Sequence, residues 1–180
     1  MSLLDLDQPA IVIEPLNAYR VKEEIPLNYG EFKTPIGEVE IMQEGNDISL
    51  VSYGSTLNIV YQVAKEIRKV GIECEVIDLQ ALIPFDISKN IVESIKKTNR
   101  VLFVDEDVPG GATAYMLQKV IEEQKAYYFL DSEPKTLSAK PHRPAYGEDG
   151  DYFSKPNVDD VFDMVYKMMN EVNPNKFPSI

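Results

Sequence analysis

Three consecutive carboxylates, Asp105, Glu106 and Asp107, follow an apolar segment in the stretch "VLFVDEDVPGGATAYMLQKVIEE" (101–123). The apolar segment predicts a buried strand, and the residues after the glycine pair at 110–111 predict a helix. Acids at the carboxyl end of a strand can hold Mg²⁺, accept a phosphoryl group, act as general acid and base, or simply be solvated. Which of these four roles applies depends on the strands and helices that position the three acids.

Those elements alternate between strand and helix along the chain. Helical patterns follow several of the strands. Ser55 or Thr56 is predicted to cap the first helix, and Asp86 or Ser88 the second. A third helix follows the glycine pair, and a last amphipathic helix carries the apolar stripe from Val158 to Met169. Strands are predicted at 10–14, 38–42, 48–54, 73–79, 100–105 and 134–139.

Alternating strands and helices predict parallel strand pairs joined by crossover helices that cover both faces of the sheet. The connection 43–47 is too short for such a crossover, so one edge strand should be antiparallel. We therefore predict an α/β fold with three α/β/α layers and about five strands. The sheet should be mostly parallel with one antiparallel edge strand, and its carboxyl end, which includes the three acids, is where such sheets bind ligands.

The composition limits the classes of partner. With 18 basic and 30 acidic residues the net charge is −12, which argues against binding to nucleic acids or anionic membranes. The charge fits either solubility alone or a basic protein partner. The single cysteine, Cys74, lies mid-strand, where an inert buried thiol is expected. One cysteine allows no internal disulfide and favours a reducing compartment, so we expect a cytoplasmic protein.

The common catalytic motifs are missing from the sequence. No G-x-G-x-x-G, phosphate-binding G-x-x-x-x-G-K-[ST] or G-x-S-x-G pattern occurs. The only histidine, His142, lies in a proline-flanked loop and is expected to be structural or exposed. "VLFVDED" resembles the Mg²⁺-binding strand end of receiver domains, but in those domains this strand comes first. Here two predicted parallel strands precede it, and the later strand 134–139 does not end in aspartate.

A second resemblance covers nearly the whole chain. The pattern D-x-x-x-L-x-P-x-D occurs in "VIDLQALIPFD" (76–86), and an E…GG element occurs at Glu106 and 110–111. Together with "PAIVIEPLNAYR" (9–20), their order resembles the carboxyl-terminal domain of the transketolase family. Within that family the chain is most similar to the β subunit, or β half, of thiamine-diphosphate-dependent 2-oxoacid dehydrogenases. Gln80 and Asp105 depart from the family pattern, which often has Arg and His at these positions, and the loop 143–156 is longer than expected.

The resemblance implies three parts of the chain. Residues 1–37 would be the tail of a preceding pyrimidine-binding domain plus a linker, residues 38–172 the transketolase C-terminal-like domain, and residues 173–180 a tail. Residues 1–3 have the form of a cloning remnant, so we expect the sequence to belong to a longer chain. The apolar segment 10–14 would then be a strand without its own sheet, expected to pack on this domain or on a neighbouring copy.

The resemblance also implies the function. The parent would decarboxylate a 2-oxo acid and pass the acyl group to lipoyl, with thiamine diphosphate and magnesium held by other domains. This chain would have no catalytic, cofactor-binding or metal-binding residues. Its partners would be other subunits of the enzyme, the basic binding domain of a dihydrolipoyl acyltransferase, and further copies in a homo-oligomer. Glu106 would accept backbone hydrogen bonds in the turn before the helix, and Asp107 would be solvated.

Two other interpretations stay open from the sequence. One keeps the fold and makes the parent a transketolase or a deoxyxylulose-phosphate synthase. The other is a free-standing α/β module for ligand binding or signalling. For the docking role, the expected surface is the acidic side of the last helix, with Asp159, Asp160, Asp163 and Glu171.

Overall fold

The computed structural model describes residues 2–20, 22, 25, 27–28, 30–143, 146 and 150–179. The strands are β1 Glu40–Gln43, β2 Ile48–Ser52, β3 Cys74–Asp78, β4 Val101–Val104 and β5 Lys135–Leu137. The helices are α1 Gly54–Ile67, α2 Asn90–Thr98, α3 Ala112–Leu117, α4 Gly150–Ser154 and α5 Val158–Val172. A π-helical turn, Gln118–Glu123, continues α3. Short 3₁₀ segments are Ser2–Asp5, Leu16–Arg20, Arg68–Val70 and Ala126–Phe129.

The five strands form one sheet in the order β1-β3-β2-β4-β5. β1 is antiparallel to β3, and the other neighbours are parallel. Because β2 and β3 are in register from Ile48 and Cys74 to Ser52 and Asp78, their carboxyl ends lie side by side. The predicted mostly parallel sheet with an antiparallel edge strand is confirmed.

Alternate strand residues build a core on each face of the sheet. Leu50 and Val76 point to the face covered by α1 and α5, where Val60 and Val165 pack against them. Val51, Ile77 and Phe103 point to the opposite face, which is covered by α2 and α3. This period-two alternation in buried strands produces the three α/β/α layers that the sequence predicted.

The predicted strand at 10–14 is wrong. This segment has no regular secondary structure and does not pack on its own domain: 91% of the surface of Ile11, 62% of Val12 and 85% of Ile13 is exposed. An isolated apolar segment lacks the hydrogen-bonding neighbour that a strand requires, and the sheet is complete without it.

The predicted caps of α1 are also wrong. Tyr53 is the N-cap residue and Gly54, with φ +59°, begins the helix. The Thr56 hydroxyl donates back to the Tyr53 carbonyl at 3.0 Å and so does not cap the helix. The predicted end is confirmed, since Gly71 adopts φ +83° after the 3₁₀ turn that follows α1.

The proline-rich loop after β5 contains an element that the sequence did not predict, the short helix α4. Part of this loop, including residues 147–149, lies outside the described residues. In the part of the chain that is described, no helix has the length and apolar character needed to cross a membrane.

Candidate acidic site at the carboxyl end of the sheet

Asp105 lies directly after β4 and is only 2% exposed. The Tyr53 hydroxyl, at the end of β2, donates a 2.9 Å hydrogen bond to its Oδ2. The backbone N–H groups of Glu106 and Asp107 also face the carboxylate. Burial raises the pKa of Asp105, and the three donors oppose that shift in part. Asp105 therefore links the carboxyl ends of β2 and β4, and little of its carboxylate is accessible to a ligand.

The two other acids of this cluster point to different partners. The Glu106 carboxylate lies 3.2 Å from Lys155 Nζ, and the same ammonium lies 3.7 Å from Asp151. Asp107 is exposed and accepts the Val108 N–H at 2.8 Å. The prediction that Glu106 accepts the backbone hydrogen bonds of this turn is therefore wrong, because Asp105 and Asp107 accept them.

The glycine pair shapes the turn between β4 and α3. Gly110 has φ +91°, a conformation that L side chains rarely adopt. A Cβ atom on Gly111 would lie 2.0 Å from Asp107 Oδ2, so a side chain there would displace that carboxylate. The Gly111 N–H closes the turn on the Val108 carbonyl at 3.0 Å. The predicted requirement for glycine in this turn is confirmed for the backbone of Gly110.

The carboxylates do not form a metal site. Among the described residues, no three His, Cys, Asp or Glu side chains group closely enough to hold a metal ion. Asp105 is engaged by hydrogen-bond donors and Glu106 by Lys155, so their oxygens do not converge on one point as Mg²⁺ ligands must. These residues consequently do not fit magnesium or its thiamine diphosphate complex, and no catalytic step through that group follows from them.

The D-x-x-x-L-x-P-x-D segment connects three elements of the fold. Asp78, at the end of β3, accepts the Gln80 N–H at 3.2 Å, and Gln80 Nε2 donates to Glu40 of β1 at 3.0 Å. Asp86 accepts the N–H groups of Asn90 at 2.8 Å and Ile91 at 3.0 Å, which begin α2. Burial raises the pKa of both aspartates. The motif is thus a structural turn that fixes α2 against the sheet.

A cleft of about 370 Å³ opens beside Glu106. It lies between the first turn of α1, the loop after β4, α4 and the start of α5. Sequence reasoning missed it because Lys155 and Glu106 are far apart in the chain and α4 was not predicted. Its walls are formed by Ser55, Thr56, Ile59, Glu106, Asp151, Tyr152, Lys155, Pro156, Asn157 and Val158.

A family model described as "Transketolase, C-terminal domain" matches residues 37–154. The chain belongs to this family. The beta subunit of acetoin:2,6-dichlorophenolindophenol oxidoreductase from Bacillus subtilis is 31% identical over 144 residues, which are 80% of this chain and 41% of that protein. The pyruvate dehydrogenase E1 component subunit beta of Rhizobium meliloti is 31% identical over 157 residues, or 87% of this chain and 34% of the relative.

The solved structures confirm the fold of this transketolase C-terminal domain. "Split gene transketolase, inactive beta4 tetramer" superposes with a TM-score of 0.63 and 22% identity, covering 78% of this chain and 44% of that one. The chain spans less than half the length of these relatives. Together the family match and the dehydrogenase relatives confirm the resemblance to 2-oxoacid dehydrogenase beta subunits.

The remaining candidate residues of this transketolase C-terminal domain lie apart from the acidic cluster. Cys74 is fully buried, and burial raises the pKa of its thiol to about 12, so little thiolate forms near neutral pH. His142 is exposed, with its ring centre 5.7 Å from that of Phe153 and Nδ1 2.8 Å from the Arg143 carbonyl. Neither contacts the three acids in the described structure.

Proposed function

We propose that this chain is the assembly and partner-docking domain of a thiamine-diphosphate-dependent 2-oxoacid dehydrogenase. The parent would decarboxylate a 2-oxo acid oxidatively and transfer the acyl group to lipoyl. The observation that carries this proposal is the similarity to a pyruvate dehydrogenase E1 beta subunit across 87% of the chain. The chain itself would contribute no catalytic residue, and thiamine diphosphate and magnesium would bind to other parts of the enzyme.

The acidic residues singled out from the sequence make contacts within the fold, which supports a non-catalytic role for this chain. Asp105 and Asp86 each accept backbone hydrogen bonds that define a turn or start a helix. Glu106 forms an ion pair with Lys155. Carboxylates committed to such contacts stabilise the fold and are poorly placed to exchange protons with a substrate.

The acidic surface supports docking of a basic partner, proposed to be the binding domain of a dihydrolipoyl acyltransferase. The chain carries a net charge of −12, and α5 exposes Asp163 and Glu171. Asp160 instead belongs to a capping box with Asn157, and Asp159 accepts the Tyr152 hydroxyl. Docking through α5 would therefore rest on Asp163 and Glu171 more than on the two acids of its first turn.

The partners would also include further copies of this chain. A solved structure with the same fold is described as an inactive beta4 tetramer, so that protein associates with itself. We extend that behaviour to the present chain as part of the proposal.

Calorimetry tests the absence of cofactor binding. Titration of the purified chain with thiamine diphosphate and Mg²⁺ should release no binding heat, whereas an assembled pyruvate dehydrogenase E1 component should bind both. Stoichiometric, Mg²⁺-dependent binding of thiamine diphosphate to the isolated chain would overturn the proposal that the cofactors bind to other parts of the enzyme.

A further inference from the structure

The cleft beside Glu106 lies where the strand order of the sheet changes direction. β2 continues through α1 to β3 on one side, whereas β4 and β5 lie on the other side of β2. The helices that follow β2 and β4 therefore cover opposite faces of the sheet. In open α/β sheets, the crevice at the carboxyl ends of two such strands is the usual place for a ligand. The volume of about 370 Å³ falls within the range of about 300–1,000 Å³ that is typical of small-molecule sites.

Hydrogen bonds hold the walls of this cleft in place. At the start of α1, the Thr56 hydroxyl donates to the Tyr53 carbonyl at 3.0 Å. On the opposite wall, the Asn157 side chain donates to the Tyr152 carbonyl at 3.0 Å and accepts the Asp160 N–H at 2.9 Å, which joins α4 to α5. Walls that are fixed before binding lose little conformational freedom when a ligand arrives.

Accessible charges of both signs line the cleft. Lys155 Nζ lies 3.2 Å from the Glu106 carboxylate and 3.7 Å from that of Asp151. The three side chains stay accessible, at 35% for Lys155, 43% for Glu106 and 65% for Asp151. An ammonium has three donors and each carboxylate about four acceptor positions, so these contacts leave capacity on both sides. The cleft can therefore bind a ligand carboxylate through Lys155 and a ligand ammonium through the two acids.

Another part of the lining is apolar. Ile59 of α1 lines the cleft together with Pro156 and Val158, which lie at the start of α5. Ile59 and Val158 also pack against the core that α1 and α5 share, so their positions are fixed. A ligand that matches the whole cleft consequently carries both charges and an apolar group.

Two buried hydroxyl groups next to the cleft have no hydrogen-bond partner among the described residues. Ser52 is fully buried at the end of β2, and the alternation along the strand places it with Leu50 on the face that α1 covers. Ser154 is 2% exposed and lies between Tyr152 and Lys155 in the sequence of the opposite wall. Buried hydroxyls without partners are uncommon in folded proteins, so their presence here favours a site where a further polar group binds.

We propose that this cleft binds the zwitterion of an α-amino acid with an apolar side chain, as a ligand that undergoes no reaction there. The ligand carboxylate pairs with Lys155, and the ligand ammonium pairs with Glu106 and Asp151. The first turn of α1 lines the same cleft and favours the carboxylate further through the positive end of the helix dipole. The apolar side chain packs on Ile59 and Val158. The site goes beyond the proposed function, because none of these residues is assigned a role in the parent reaction.

Isothermal titration of the full chain with L-leucine tests the proposal. L-Leucine should bind saturably, and four analogues should each bind at least about 10-fold more weakly. Glycine lacks the side chain, 3-methylbutylamine lacks the carboxylate, and 4-methylpentanoate and 4-methyl-2-oxopentanoate lack the ammonium. No binding of L-leucine at millimolar concentration, or equal binding of either analogue without an ammonium, would overturn the proposal. The cofactor titration is a separate measurement, so failure here would leave the proposed function unaffected.

Substitutions in the cleft locate the binding site. Glu106→Gln and Lys155→Gln should each weaken L-leucine binding at least about 10-fold, because each removes one charge that the zwitterion pairs with. Glu122→Gln and Lys65→Gln are the matched controls, since they make the same charge changes at exposed positions outside the cleft. Ile59→Ala should lower the preference for L-leucine over glycine, a ratio that a general loss of stability would not change.

Urea denaturation of each variant shows whether it folds like the unchanged chain. A folded Glu106→Gln or Lys155→Gln variant that binds L-leucine as tightly as the unchanged chain would overturn the site. Equal weakening by the cleft variants and their controls would do the same, because it would show that binding follows total charge.

Discussion

The Tyr53 hydroxyl donates a 2.9 Å hydrogen bond to Asp105, although the two residues are 52 positions apart in the chain. The contact joins the carboxyl ends of β2 and β4, which are neighbours in the sheet. Asp105 is 2% exposed, so the hydroxyl replaces water that the carboxylate has lost. The acid that first suggested chemistry is thus part of the structural support of this edge of the sheet.

Tyr53→Phe should lower the free energy of unfolding by about 2 kcal/mol, because it leaves a buried carboxylate with fewer donors. Urea denaturation measures the loss. Tyr128→Phe provides the control, since that side chain is 79% exposed and its hydroxyl can be replaced by water at little cost. Equal stability of the Tyr53 and Tyr128 variants would mean that the hydrogen bond contributes nothing measurable.

Asp105 should also make stability depend on pH in a defined direction. Burial raises its pKa above the value of about 3.9 for an unfolded chain. The folded state then holds the proton more tightly, so the contribution to stability is full below pH about 3.9 and is lost as pH rises through the folded pKa. The unfolding free energy of the unchanged chain minus that of Asp105→Asn should therefore fall as pH rises above about 4 and through the raised folded pKa. A difference that rises with pH would show that the hydrogen bonds outweigh burial.

The architecture was predictable because the strands are short, apolar and regularly alternated with helices. The antiparallel edge followed from the five-residue connection before β2. The strand prediction for 10–14 was wrong because the composition of this segment is typical of a strand, whereas strand formation also requires a neighbouring strand for its backbone hydrogen bonds. α1 was misassigned at its start because Ser55 and Thr56 are good caps by type, but the chain turns at Gly54 with φ +59°.

The roles within the acidic cluster were only partly predictable. The sequence indicated a structural function, but it could not show which carboxylate accepts the backbone hydrogen bonds. The answer depends on two contacts: the Tyr53 hydroxyl, which follows β2, donates to Asp105, and Lys155, which follows α4, pairs with Glu106. Both are long-range contacts that no local motif encodes.

Mutations at the start of α2 can distinguish Asp86 from Ser88, the two capping residues that the sequence allowed. Neither predicted residue is the N-cap, which is Lys89, but the Asp86 carboxylate accepts the N–H groups of Asn90 and Ile91, whereas the Ser88 hydroxyl donates to Glu38 at 2.7 Å. Asp86→Ala should cost about 1–2 kcal/mol of unfolding free energy and Ser88→Ala less than about 0.5 kcal/mol. Thermal or urea denaturation of the two variants distinguishes them, and a larger loss for Ser88→Ala would reverse the assignment.

The docking surface on α5 can be tested by charge reversal, with the capping residues left unchanged. Asp160 donates its N–H to Asn157 Oδ1 at 2.9 Å and accepts the Asn157 N–H at 3.2 Å, so reversing it would disturb the helix start as well as the surface charge. Asp163 is exposed one turn later, and changing it to Lys should leave the fold intact. Lys167 follows on the same helix, so Lys167→Glu should have the opposite effect on binding.

Surface plasmon resonance against an immobilised acyltransferase binding domain should show the effect mainly in the association rate. Asp163→Lys should slow association about 3- to 10-fold at low salt and reduce its dependence on ionic strength, because steering by complementary charge acts on encounter and is screened by salt. Glu122→Lys is the matched control: it makes the same change in net charge after α3, which covers the opposite face of the sheet. If both variants slow association equally, the effect reflects total charge and the partner does not dock on α5. If only Asp163→Lys slows it, and Lys167→Glu accelerates it, the acidic side of α5 is the surface that the basic domain meets.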